Sequence, residues 1–218
     1  MVSVPIEAFD EIDSTNAEAR RRADAGERGP LWLTAKRQTA GRGRRGRAWE
    51  TGAGNLAATL LTHPDKPPAE AAQVSFVAAL AVADLAAAFV PASLVSLKWP
   101  NDPMIASKKT AGILVESGPH SAGGLWLAVG CGVNLATPPD AAERPATAFA
   151  LHMRAPPPSP PDALTVLAES FEHWRGLWER LGFATIAEGL DADGALRLRT
   201  AAGVVRRITA GDVFFGDA

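Results

Sequence analysis

Residues 38–49 read Gln-Thr-Ala-Gly-Arg-Gly-Arg-Arg-Gly-Arg-Ala-Trp, so Gly41, Gly43 and Gly46 interleave with Arg42, Arg44, Arg45 and Arg47. Glycine lets a backbone approach a ligand closely, and guanidinium groups pair with carboxylates and phosphates. No packed core wants this composition, so the segment is a surface loop whose task is contact with an anion. Three anion chemistries compete. The glycines match G-x-G-x-x-G, but a dinucleotide fingerprint should follow a strand directly and open a helix. Here the strand expected at residues 31–35 ends too early, and residues 47–52 start no convincing helix. A phosphate-binding P-loop needs Lys and Ser/Thr where Arg47 and Ala48 stand. A nucleic-acid patch fits the basic run Lys36, Arg37, Arg42, Arg44, Arg45 and Arg47. The formal charge of −2 and pI near 6.1 are poor electrostatics for a general phosphate-backbone binder.

Three further segments hold polar groups that a core does not need. Lys98-Trp99-Pro100-Asn101-Asp102 places an amide and a carboxylate at the end of an apolar strand, and Lys108-Lys109-Thr110-Ala111-Gly112 sets lysines at the mouth of the next. Gly130-Cys131-Gly132-Val133-Asn134-Leu135 ends a third strand in glycines and an amide. Each also has a structural reading. Asn101-Asp102 and Asn134 suit turns, Lys109 suits a solvated strand end, and Ser14 and Thr15 suit helix N-caps. Taken together with the arginine loop, they offer anion clamps, a carboxylate for magnesium and amide donors around apolar strands. That is equipment for activating a carboxylate with ATP.

The elements that must position these groups can be read from hydrophobic periodicity. A helix is expected from Ser14 towards Gly26, with Thr15 and Glu18 at capping-box spacing. Strands are expected at residues 31–35, 55–62 and 94–99, the second apolar on both faces and hence buried. An alanine-rich helix spans residues 69–89. Residues 112–116 and 125–129 read as paired strands around a glycine-rich turn at 118–124. The proline-rich stretch 155–161 is a stiff connector rather than a recognition site. A helix over 162–181 carries Phe171, Trp174 and Trp178, and short strands follow around residues 190–198 and 204–208. Helices and strands mix without βαβ alternation, which predicts an α+β domain with a mixed β-sheet and flanking helices.

Composition bounds the rest. The 218 residues, 47% hydrophobic and 21% charged, can bury one main core with room for a small appendage. A single cysteine, Cys131, excludes an internal disulfide and fits a reducing compartment. His63, His120, His152 and His173 lack metal-ligand spacing. The N-terminal residues show no basic region followed by an apolar core. The apolar run 76–90 is broken by Asp84 and is shorter than the ~20 residues of a membrane span. A soluble, cytoplasmic protein without a membrane partner is expected.

Five motifs then occur in a telling order. Ser-Thr-Asn stands at 14–16, the glycine–arginine run at 38–49 and Lys-Trp-Pro-Asn-Asp at 98–102. Lys-x-Ala-Gly-Ile-Leu-Val-Glu follows at 109–116, and Gly-x-Gly-x-Asn-Leu at 130–135. This set resembles the biotin protein ligases over residues 14–135. The resemblance implies a fold like that of class II aminoacyl-tRNA and biotin synthetases, with a catalytic domain over residues 1–185. It also implies an SH3-like C-terminal β module over 186–218, which looks shortened here. The implied reaction has two steps. Biotin and ATP give biotinyl-AMP and pyrophosphate, and biotin then passes to a lysine of a biotin carboxyl carrier protein, of acetyl-CoA carboxylase or a related carboxylase.

By resemblance, Lys109 and Arg44 are catalytic, and Lys109 lies between the biotin carboxylate and the α-phosphate. Ser14, Thr15, Asn16, Gln38, Gly41, Arg42, Arg44, Lys109 and Gly112 bind biotin. Arg44, Arg47, Trp49, Asn101, Asp102, Lys109 and Asn134 bind ATP, with Asp102 holding Mg2+. A loop so rich in glycine is expected to be mobile when empty and to close over the adenylate. No helix-turn-helix precedes Ser14, so neither a repressor role nor a specific nucleic-acid partner is expected. A homodimer is compatible with the sequence. The alternatives are a lipoate-type acyl ligase, which shares the adenylate logic, and a basic-loop nucleic-acid binder.

Overall fold

The computed structural model describes residues 4–139, 145–182, 187–190, 196–199 and 205–210. Its elements run β1 (Ile6–Ile12), α1 (Thr15–Asp24), β2 (Leu31–Gln38), β3 (Leu56–Thr62), α2 (Pro68–Ala71) and α3 (Val74–Phe89). Then come β4 (Val95–Trp99), β5 (Asp102–Ile105), β6 (Lys108–Lys109), β7 (Ala111–Pro119), β8 (Leu125–Val133) and α4 (Pro160–Leu181). The C-terminal strands are β9 (Ala187–Leu190), β10 (Leu196–Arg199) and β11 (Val205–Ala210). They form two mixed sheets, ordered β1-β2-β3-β8-β7 and β6-β5-β4-β11-β10-β9. Pairing is parallel between β1 and β2 and between β4 and β11.

The five-stranded sheet has a core on each face, and β3 shows why its sequence is apolar throughout. Leu56, Ala58 and Leu60 join the main core with α3 and α4, while Leu61 joins a smaller one with Ala19 and Ala23 of α1. Thr59 is fully buried on that second side. Helix α3 is apolar all round because it is sandwiched between the sheet and α4. By length and composition, the stretch from Pro68 to Phe89 could cross a membrane. In this fold its apolar surface is consumed by the core. Asp84, the one charged residue of α3, accepts hydrogen bonds from Ser170 Oγ at 2.9 Å and Trp174 Nε1 at 2.7 Å. The three aromatics of α4 are buried, with Phe171 edge-on to Trp32 at 5.9 Å. Truncating any one of them would cost about 3–5 kcal/mol.

Several expectations are corrected. Ser14, not Thr15, caps α1: its extended backbone lets its Oγ accept from Ala17 N at 3.4 Å. Thr15 is thereby freed for a tertiary role. The helix expected over 69–89 is broken at Ala72–Gln73, where Gln73 Oε1 accepts from Trp178 Nε1. Strand β7 runs through the expected turn as far as Pro119, leaving only residues 120–124 as the connection. Strands β1, β5 and β6 went unread. Ala106 and Ser107, both with positive φ, join β5 to β6 in a two-residue hairpin turn. Such turns usually announce themselves by Asn-Gly or Asp-Gly, and Ala106-Ser107 carries no such signal.

The C-terminal strands do not stand alone. Ile208, Thr209 and Ala210 of β11 pair in parallel with Leu97, Lys98 and Trp99 of β4. The tail was expected to lean on the main domain, and this backbone pairing provides the attachment. Of the residues expected to make that contact, Leu196 and Leu198 lie in β10 and Ile208 in β11, whereas Val204, Val213 and Phe214 lie outside the described residues.

Candidate active site

The expected site residues gather into two clusters joined by the arginine loop. The first forms where α1 begins. Arg21 grips the Asp13 carboxylate with both terminal nitrogens at 2.8–2.9 Å, and Asp13 Oδ1 also accepts from Ser14 N. The Arg21 guanidinium holds the Asp13 carboxyl down at about 2 against an ordinary 3.8. This anchor is therefore complete above pH 3.8 and is lost as pH falls towards 2. Behind it, Ser14, Thr15 and Asn16 are all buried. Gln38 Oε1, at the end of β2, accepts from Thr15 N at 2.8 Å and from Thr15 Oγ1 at 3.1 Å. Thr59 Oγ1 lies 2.7 Å from both Thr15 Oγ1 and Asn16 Oδ1. The cluster is neutral, rich in donors and acceptors, and set against apolar strands.

The second cluster is charged. The β5–β6 hairpin brings Lys109 back beside Asp102, so that Lys109 Nζ donates to Asp102 Oδ1 at 2.6 Å. Arg44 Nη2 stands 3.5 Å from the same oxygen. Two cations therefore face one carboxylate whose side chain is 9% exposed, leaving a net positive site. Beside it, Asn101 Oδ1 is buried with no hydrogen-bond partner among the described residues. A cavity of about 280 Å³ opens here, lined among others by Arg44, Asn101, Ser75, Ile113 and Leu127. Lys108 is exposed and outside the cluster.

The loop spans both clusters. Thr39 and Ala40 N–H groups donate to Ile12 and Asp13 carbonyls, Trp49 N donates to Gly41 O, and Arg42 bridges to Ala48. Gly41 is required because a Cβ there would lie 2.3 Å from Trp49 O. Arg42 reaches the first cluster, donating to Glu116 at 3.2 Å, while Arg44 reaches the second. Arg47 stays exposed, with its Nε 3.4 Å from Arg44 O. The Trp49 ring lies across Gly112 and Gly132, which face each other in the β7–β8 ladder. Any Cβ on Gly132 would come within 2.2 Å of the ring, so the pair forms a floor only glycine can provide. Asn134 is buried, and its Nδ2 donates to Thr147 O at 3.1 Å, tying β8 to the segment that also receives the Lys109 backbone.

Sequence reasoning passed over Thr59, Glu116 and Asn55. Thr59 had a legible signal, as a polar residue in the middle of a strand buried on both faces. Asn55 accepts from Ala136 N and Thr137 N, pinning the end of the arginine loop to the turn after β8. Cys131 is buried, and burial pushes its thiol up to about 12, so it is no nucleophile.

Lys109 and Arg44 beside one carboxylate, connected by the glycine–arginine loop to a neutral cluster, suit a nucleotide-dependent acid-activating enzyme. Residues 9–134 match the model of the Biotin/lipoate A/B protein ligase family, and residues 185–216 that of the Biotin protein ligase C terminal domain. The biotin--[acetyl-CoA-carboxylase] ligase of Paracoccus denitrificans is 40% identical, over 94% of this chain and 98% of its own length. The biotin protein ligase of Leishmania major, solved with biotinyl-5-AMP, superposes with a TM-score of 0.65 at 25% identity, over 94% of this chain and 99% of that one. The enzyme from Aquifex aeolicus, solved with biotin and ATP, has a TM-score of 0.69 at 23% identity, over 95% and 96% of the two chains, and supports the fold. The chain belongs to the biotin/lipoate protein ligase family.

Proposed function

We infer that the chain is an ATP-dependent biotin protein ligase. The observation behind this reading is the convergence of Lys109 and Arg44 on Asp102, with the same loop extending to the buried Ser14–Thr15–Asn16–Gln38 cluster. In the first step a biotin carboxylate oxygen attacks the α-phosphorus of ATP. The bond to the β-phosphate breaks, giving biotinyl-AMP and pyrophosphate. The reactants are both anions, and charge builds on the phosphoryl oxygens, so preorganised cations are the main catalytic device. Lys109 bridges the two anions, and Arg44 holds the nucleotide side together with Arg47 and Trp49. In the second step a carrier lysine attacks the acyl carbon of the mixed anhydride, an amide forms, and AMP leaves.

Magnesium takes oxygen ligands, commonly one or two carboxylates completed by water and phosphate oxygens. The Asp102 carboxylate and the orphaned Asn101 Oδ1 fit such a role. Among the described residues there is no group of three acidic, histidine or cysteine side chains to cage an ion, so the nucleotide would supply the remaining ligands. The ion, when bound, neutralises phosphate charge.

Biotin is favoured over lipoate on physical grounds. The neutral cluster of Ser14, Thr15, Asn16 and Gln38, with Gly41 and Arg42, matches a ureido group that both donates and accepts. Lipoate would leave these buried groups unpaired, which binding sites reject strongly. Gly112 supplies the floor, and Asn134 supports the nucleotide side. Residues 1–185 form the catalytic domain and 186–218 the carrier-facing β module. The partner is the biotin carboxyl carrier protein of acetyl-CoA carboxylase or a related carboxylase, met in the cytoplasm.

Incubation with ATP, biotin and a carrier domain should place biotin on one carrier lysine and release AMP. A carrier labelled equally well after that lysine is replaced by arginine would contradict the reading. Arg44→Ala should raise the KM for ATP and biotin by ~10-fold or more, because it removes a charge-assisted contact. It should also let biotinyl-AMP escape faster. Adenylate release at the wild-type rate would take the clamp away from Arg44.

A further inference from the structure

Glu116 stands on β7, and no step above uses it. Its Oε2 accepts from two donors with different attachments, Asn16 Nδ2 at 2.9 Å and Arg42 Nη2 at 3.2 Å. Asn16 is fixed in the buried cluster, whereas Arg42 belongs to the glycine–arginine loop. Glu116 provides the only ion pair of Arg42 among the described residues. The carboxylate also decides which way the Asn16 amide points. With Nδ2 given to Glu116 and to Leu114 O, Oδ1 must face Thr59, whose hydroxyl lies 2.7 Å away. A flipped amide would set an oxygen against a carboxylate. The Thr59 hydroxyl therefore gives its one proton to Asn16 Oδ1.

We propose that Glu116 is a positioning residue that fastens the glycine–arginine loop to the ureido end of the site through Arg42 and fixes the orientation of Asn16. Its consequence for biotin rests on the function proposed above, but the fastening itself does not. Glu116→Gln keeps the size of the side chain and removes its charge, so the ion pair with Arg42 is lost and the hydrogen bond from Asn16 becomes neutral. The KM for biotin in pyrophosphate exchange should rise about tenfold, with kcat changed less than about threefold.

The fastening can be read without biotin, because trypsin cuts after the arginines of residues 42–47 only when the loop opens. In the ligand-free full chain, Glu116→Gln should be cleaved there several times faster than wild type. Arg42→Gln approaches the same contact from the exposed side and should also open the loop at its remaining arginines. The double variant should be cleaved no faster than Arg42→Gln alone. Wild-type cleavage in both single variants, or additive effects in the double variant, would overturn the proposal. If the wild-type chain showed no biotin-dependent exchange, the functional reading would fail while the cleavage result still judged the latch.

Discussion

Lys109→Ala lowers the rate of biotinyl-AMP formation by ~10²–10³, the usual cost of removing one preorganised charge from a developing anion. The wild-type side chain is 26% exposed and its Nζ lies 2.6 Å from Asp102 Oδ1, so it is held in place before either substrate arrives. Its loss has a second effect. Asp102 would keep only the more distant Arg44 as a counter-ion, and a nearly buried carboxylate would repel the incoming anions. Lys108→Ala should change the rate far less, because its exposed side chain lies outside the cluster. Pyrophosphate exchange at saturating biotin and ATP compares the two directly, with thermal unfolding as a control for folding. Equal rates would place the bridging role on another residue.

Deletion of residues 190–218 should separate the two half-reactions. It removes β10 and β11, and with them the strand that pairs with β4 just before Asn101 and Asp102. Strand β4 keeps β5 as a partner on its other side, so the Asp102–Lys109 hairpin survives. Exchange should therefore fall but remain measurable. Transfer to a carrier should drop about 10²-fold further, the scale of loss when reacting groups are slightly misplaced. Both activities are to be measured on the same folded, truncated protein. Transfer as fast as that of the full chain would make the tail dispensable.

What the sequence revealed and what it hid follow from the range of the interactions involved. Strand β3 and helix α4 were legible because burial on both faces, or on one aromatic stripe, writes a periodicity into local sequence. The β5–β6 hairpin was not, because its turn uses Ala106 and Ser107 in a backbone conformation their side chains do not advertise. That short hairpin matters greatly, since it brings Lys109 onto Asp102. The site's residue types were visible as motifs, but their partnerships were not. Asp102 was expected as a magnesium ligand, and it also pairs with both Lys109 and Arg44. Thr15 looked like a cap and is instead a buried link from Gln38 to Thr59. Glu116 closed the 109–116 motif without a role of its own, and only the fold sets it between Asn16 and Arg42, 100 and 74 residues away in the chain.

The central claim is that one site joins biotin to AMP, and exchange of labelled pyrophosphate into ATP measures that step alone. The account predicts exchange that depends on biotin and is supported by neither lipoate nor octanoate. Exchange driven by lipoate and not by biotin would contradict it, and would mean that the neutral cluster at Ser14–Asn16 does not read a ureido group.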